Sequence, residues 1–179
     1  LYREVVKPIA GRRSPGAFFR SWRVVSLDGS TLEVADSDAN EKAFGRPGAS
    51  RGKSAYPQIR FVTLLENGTH VLFGAVMDAF RIGEITLARK VLGGLKRGML
   101  CLADRNFFGY ALWKQALTTR SALLWRIKKN LILPRLREHD DGSFESMIYP
   151  SLKDRRHKRN GIRVRVIEYH IRGFSDRYR

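Results

Sequence analysis

The sequence predicts an α/β domain built on a mixed sheet, and three observations predict it. Apolar runs of strand length recur along the first two thirds of the chain. An Asn-Gly pair at 67–68 joins two of them, the strongest short hairpin signal. Two amphipathic stretches of helical length then separate the later runs, giving a β-α-β-α-β order. With 179 residues and 43% hydrophobic content, the chain can bury a real core.

Taken in order, residues 1–20 are basic and mixed, broken by Gly11 and Pro15-Gly16, and read as the tail of an upstream segment plus a linker. Trp22 to Leu27 reads as a strand, Asp28-Gly29 as a turn and Thr31 to Val34 as its return. Residues 36–55 are polar and Gly-rich and read as a long loop, whose Gly and Arg content suits a backbone approaching phosphates. Tyr56 to Leu65 and His70 to Met77 read as the hairpin strands. Residues 84–95 read as a helix, with Ile85, Leu87, Ala88, Val91 and Leu92 apolar and Gly93-Gly94 ending it. Met99 to Ala103 is a short buried strand, Gly109 to Leu117 a helix, and Ser121 to Ile127 another buried strand.

Hairpin strands followed by β-α-β-α-β match a ribonuclease-H-like mixed sheet with flanking helices. In that architecture Asp28 and Asp104 sit on neighbouring strands, although far apart in sequence. The pattern then changes. Leu131 to Arg137, Phe144 to Ile148 and Ile162 to Ile171 are extended and Arg-rich, joined by Asp140-Asp141-Gly142 and Arg159-Asn160-Gly161. The expected organisation is a linker over 1–20, the first part of a catalytic core over 21–130, and a β-rich basic insertion over 131–179.

Lys and Arg number 34 against 17 Asp and Glu, a net charge of +17. Such an excess points to nucleic acid or an anionic membrane. No apolar run approaches the ~20 residues of a spanning helix, and the basic residues are interleaved with strand-like ones. The single Cys101 cannot form an internal disulfide, which fits a reducing cytoplasm. It reads as a small buried hydrophobe.

Asp28 and Asp104 each close an apolar run, Trp22 to Leu27 and Met99 to Ala103. Carboxylates from two strands can share divalent metal, and hard oxygen ligands suit Mg²⁺ or Mn²⁺. Two such ions can activate the attacking oxygen and stabilise the leaving one in phosphodiester chemistry. The same residue types have plainer uses, an Asp before Gly in a turn and an Asp after a strand at a helix N-cap.

Several segments together resemble one family: Leu27-Asp-Gly-Ser-Thr31, Ala43-Phe-Gly-Arg-Pro-Gly-Ala-Ser-Arg-Gly52, Gly83-Glu-Ile-Thr-Leu-Ala88, Leu102-Ala-Asp-Arg-Asn-Phe-Phe-Gly109 and Leu124-Trp-Arg-Ile-Lys-Lys-Asn-Leu131. The chain is similar to the DDE transposases of bacterial insertion sequences, in the branch with a β-rich insertion in the catalytic domain. The resemblance runs from about Tyr2 to Tyr178. It implies a core that cuts and rejoins double-stranded DNA at element ends with Mg²⁺ (or Mn²⁺), in a homodimeric synaptic complex, in a bacterial cytoplasm at the nucleoid. On it, Asp28 matches the first catalytic acid and Asp104 the second. The family's third acid is a Glu within a Tyr-Arg-Glu-Lys signature after the insertion, and Tyr178-Arg179 is not that signature. The third acid is therefore expected to be missing, and the chain to be an inactive fragment. Glu168, in an extended run, is not assigned to the site. Asn106 stands where relatives usually carry Gly.

Residues 151–179 carry ten Lys/Arg and three Asp/Glu. Lys153, Arg155, Arg156, Lys158, Arg159, Arg163 and Arg165 are therefore candidates for DNA backbone contact, on a basic hairpin, with Lys128 and Lys129 after the preceding strand. His157 adds to that surface, and Trp113 and Trp125 read as core. Three other readings stay open: a catalytically dead DNA-binding remnant, a ribonuclease-H-like nuclease, and a basic RNA-binding structural protein.

Overall fold

The computed structural model describes residues 6–48, 56–174 and 177–179, with only the backbone of Arg177. Residues 49–55, the Gly- and Arg-containing end of the expected phosphate loop, lie outside the described residues. The chain divides into two compact units, 1–103 with 115–124, and 104–114 with 125–179.

The first unit is organised by a mixed sheet. Its strands are β1 (Phe18–Phe19), β2 (Trp22–Glu33), β3 (Gln58–Glu66), β4 (Leu72–Ala79), β5 (Met99–Ala103) and β6 (Ala122–Trp125). The order is β4-β3-β2-β5-β6, with β1 paired to β2. β4, β3 and β2 are mutually antiparallel, whereas β2 and β5 run parallel. This is the ribonuclease-H-like arrangement expected from the order of elements. Helix α1 (Asp38–Phe44) lies between β2 and β3, α2 (Glu84–Val91) with a 3₁₀ turn at Leu92–Gly94 between β4 and β5, and α3 (Tyr110–Leu117) between β5 and β6.

Alternation along β2 and β3 sets the core. Val25, Leu27, Val62 and Leu64 are buried to 2% exposure or less, as are Leu87, Ala88 and Leu92 from α2 and its 3₁₀ extension. Gly74 on β4 lets α2 approach, since a Cβ there would lie 3.3 Å from Val91 Cγ2. Cys101 is fully buried, as a small hydrophobe.

Two expectations are corrected. Asp28-Gly29 is no turn: β2 runs unbroken from Trp22 to Glu33. The cause is β3, which pairs with β2 from Val25↔Glu66 through Glu33↔Gln58 and so holds residues 28–33 extended. The loop reading of 36–55 also fails at its start. Ser37 caps α1 by accepting the Asn40 N–H at 3.3 Å. This helix has no buried residue, so it shows no apolar period in the sequence.

The Asn67-Gly68 hairpin forms as expected, with the Glu66 N–H donating to Val71 O at 2.9 Å. The chain before β1 is stitched onto it. A Cβ on Gly68 would lie 2.6 Å from both Ala17 N and Pro15 O, so only glycine admits that backbone. The Glu66 carboxylate is fully buried; it accepts from Ile9 N at 3.1 Å and Ala10 N at 3.0 Å, and bonds to Arg23 and Thr69. A buried carboxylate needs this full set of partners.

The second unit contains the antiparallel sheet β7 (Arg137–Glu138), β8 (Phe144–Ile148) and β9 (Ile162–Val166), a short helix α4 (Leu152–Arg156), and the pair β10 (Tyr169–His170) and β11 (Arg177–Tyr178). Phe144, Ile148 and Val166 bury one face of β8 and β9. The expected long strand over 131–137 shrinks to two residues. The basic hairpin expected around 153–165 is α4, a turn and β9, with Ser151 capping the helix through the Asp154 N–H at 3.0 Å. Trp113 and Trp125 pack edge to face at 5.1 Å, as core residues. No helix among the described residues is long and apolar enough to cross a membrane.

Candidate active site

The β2–β5 ladder locates the two candidate acids. Its register runs from Arg23↔Met99 to Leu27↔Ala103 and stops there. The next residue after Leu27 is Asp28, and the next after Ala103 is Asp104. Asp28 remains within β2, opposite Thr63 of β3, with its side chain exposed and its Oδ1 accepting the Gly29 N–H at 2.9 Å. It thus sits at the end of the parallel ladder, not at the end of its strand.

Asp104 opens the second unit. Its backbone carbonyl accepts the Phe107 N–H at 3.0 Å, closing a turn anchored by the buried Phe107. Its carboxylate is 44% exposed and 3.6 Å from Arg126 Nη1, a surface pair of small energetic weight.

Glu84 lies against the residue after Asp28, and the sheet separates the two acids. A Cβ on Gly29 would lie 2.9 Å from Glu84 Cδ, so the carboxyl group lies over Gly29. Successive strand residues point to opposite faces. Glu84 therefore meets the face of β2 away from Asp28, at the first turn of α2, where a helix N-terminus favours negative charge.

Glu168 is held in another role. Its side chain is 13% exposed and lies between Arg135 at 2.8 Å and Arg179 at 2.7 Å. Arg179 also donates to Lys129 O at 3.4 Å and Leu131 O at 3.2 Å. The pair is a clamp on the loop after β6. Among the described residues, no three His, Cys, Asp or Glu side chains gather in a group that could hold a metal. Asp28 and Asp104 are the right kind of donor for Mg²⁺ or Mn²⁺, and the described residues add no third.

The expected DNA contacts divide into two kinds. Lys153, Arg156, Lys158 and Arg159 are exposed on and after α4, and Arg155 is half-buried. Arg163 and Arg165 on β9 are instead engaged with acids, Arg163 with Glu145 at 3.0 Å and Arg165 with Asp141 at 2.6 Å. Lys128 and Lys129 are exposed and line an open depression with Arg105, Asn106 and Asn130. Of those three, Arg105 and Asn130 were not singled out from the sequence, and Asn106 only as a departure from the family pattern. The available signal was that Asp104-Arg-Asn and Lys-Lys-Asn each follow strands that become neighbours in the sheet.

The chain is 25% identical over 109 residues to "Putative transposase InsZ" of Escherichia coli strain K12, covering 60% of the chain and 36% of that protein. It is 25% identical over 89 residues to "Transposase InsG for insertion sequence element IS4" of the same organism, covering 50% of the chain and 20% of that protein. The chain thus matches about a third or less of the length of these relatives. The family model described as "Transposase DDE domain" matches residues 21–177. With that match spanning the sheet, both strand-linked aspartates and the basic unit beyond them, the chain belongs to the DDE transposase family.

Proposed function

We propose that this chain is the part of a DDE transposase that carries the first two metal-binding acids and a DNA-binding basic surface. The single observation that supports the site most is the β2–β5 register, which ends one residue before each aspartate. Paired strands lie ~4.8 Å apart, within reach of a shared ion whose ligand distances are ~2.0–2.6 Å. Asp28 and Asp104 would hold Mg²⁺ or Mn²⁺, which when bound would polarise the scissile phosphate and its attacking oxygen. β2 holds Asp28 in the sheet and Asp104 follows β5 by one residue, and precise placement is most of what such chemistry needs from protein. The reaction of the whole protein would be hydrolysis at a transposon end, then attack of the freed 3′-OH on target DNA, within a homodimeric synaptic complex at the nucleoid. In this reading residues 21–130 form the catalytic core and 131–179 the insertion that meets DNA.

A second reading, a DNA binder that does not cut, is favoured by the absence of a third acid from the site among the described residues. Two carboxylates offer −2 where three would offer −3 to hold two divalent ions. The expectation is that the 179-residue chain binds DNA and does not nick it. The test is Mg²⁺- or Mn²⁺-dependent nicking of DNA carrying the element ends, with Asp104→Ala and Glu168→Gln alongside. Robust nicking lost in Asp104→Ala would overturn inactivity. Loss in Glu168→Gln as well, with Arg179→Ala still nicking, would point to Glu168 as the third ligand, since Arg179→Ala breaks the clamp without removing the carboxylate.

A further inference from the structure

We propose that the depression lined by Arg105, Asn106, Lys128, Lys129 and Asn130 is a subsite for one backbone phosphate of the DNA strand that passes Asp104. Its lining is three cations and two primary amides, with no carboxylate and no apolar side chain. That set rejects metals and apolar ligands and suits an anion with several acceptor oxygens. All five side chains are exposed, as a polymer passing over an open surface requires.

Both walls are held from behind. Arg105 and Asn106 lie in the turn after Asp104, closed by Phe107 N–H donating to Asp104 O and pinned by buried Phe107. The opposite wall is the 127–131 loop. There the Ile127 N–H donates to Arg179 O at 3.2 Å, and the Arg179 guanidinium takes the carbonyls of Lys129 and Leu131. Glu168 holds that guanidinium in place. The clamp thus does for the loop what a bound ligand would otherwise have to do, and preorganisation lowers the ordering cost of binding. Arg105 is bonded directly to Asp104, so a phosphate held here would be a close neighbour of the one presented to that acid.

The proposal rests on DNA being the substrate, and the experiment separates the two ideas. The full 179-residue chain is titrated with a labelled duplex of unrelated sequence between about 50 and 200 mM salt. Arg105→Ala and the Lys128→Ala/Lys129→Ala pair should each weaken binding and lower the slope of log Kd against log salt by up to about 0.9, the share of one phosphate. Arg105→Lys should keep the slope. Asn106→Ala and Asn130→Ala should each weaken binding about 2- to 10-fold without changing it. Circular dichroism of each variant separates lost contacts from lost fold. Unchanged slopes in both cation variants, with wild-type binding intact, overturn the subsite and leave the DNA reading standing. No binding by the wild-type chain overturns both. Losses from the Asn variants that depend on base sequence would mean a base edge is held, which also overturns a phosphate subsite. Inorganic phosphate is the second probe. If it perturbs the Asn106 and Asn130 amide resonances and DNA does not, the depression takes a free anion and the proposal fails.

Discussion

Glu66 shows how much one residue can organise. It ends β3, is fully buried, and collects the N–H groups of Ile9 and Ala10, the Arg23 guanidinium and the Thr69 hydroxyl. Removing one partner of a buried pair costs about 3–5 kcal/mol, because the other charge stays behind without compensation. Arg23 is 23% exposed, so water can relieve part of that. Glu66→Ala is expected to lower stability by about 3 kcal/mol, at the bottom of that range. Urea unfolding measures it, and a loss below about 1 kcal/mol would mean that water replaces the carboxylate at small cost. From sequence, Glu66 is one acid beside a hairpin turn. Its partners lie up to 57 residues away, and only folding shows that it is buried.

At the scale of elements, the turns of the second unit carry acids whose protonation matters. Asp141 is held below the usual carboxylate range, first by the Ser143 hydroxyl and then by its N–H, with Arg165 nearby. Asp154 is lowered by the Ser151 hydroxyl and the Asn160 amide. Groups whose folded pKa is depressed contribute stability above their unfolded value and lose it as pH falls through the folded one. These turns should therefore be fully supported above about pH 4 and loosen progressively below it. The expected result is a Tm that drops on acidification and drops less in Asp141→Asn. Equal drops in both proteins would remove Asp141 as a cause. Sequence patterning shows Asp140-Asp141-Gly142 as a turn but not its partner, since Arg165 reaches it from β9.

For the molecule as a whole, a net charge of +17 makes salt the decisive variable. Replacing Arg155, Arg156, Lys158 and Arg159 by Ala should weaken binding about equally on unrelated sequences and lower the salt slope by up to about 3.5. An unchanged slope would show that the α4 surface does not meet DNA. Arg163 and Arg165 should matter less per residue, because Glu145 and Asp141 already compete for them.

The sequence alone carried the α/β class, the hairpin at Asn67-Gly68, helix α2, strands β5 and β6, and the two aspartates. These are signalled by local periodicity, by turn chemistry and by short motifs, which act between residues close in the chain. It did not carry the continuity of β2 through Asp28, because an Asp-Gly pair favours a turn until a long partner strand such as β3 holds it extended. Nor did it carry α1, which buries no residue and so has no apolar period to read. The stitching of Ile9 and Ala10 to Glu66, the clamp of Glu168 on Arg179 and the Arg105–Asn130 depression were equally out of reach. The first two join residues 11 to 57 positions apart by hydrogen bonds or charge, and the third gathers two loops, none of which leaves a periodic trace. They exist only once the chain has brought them together.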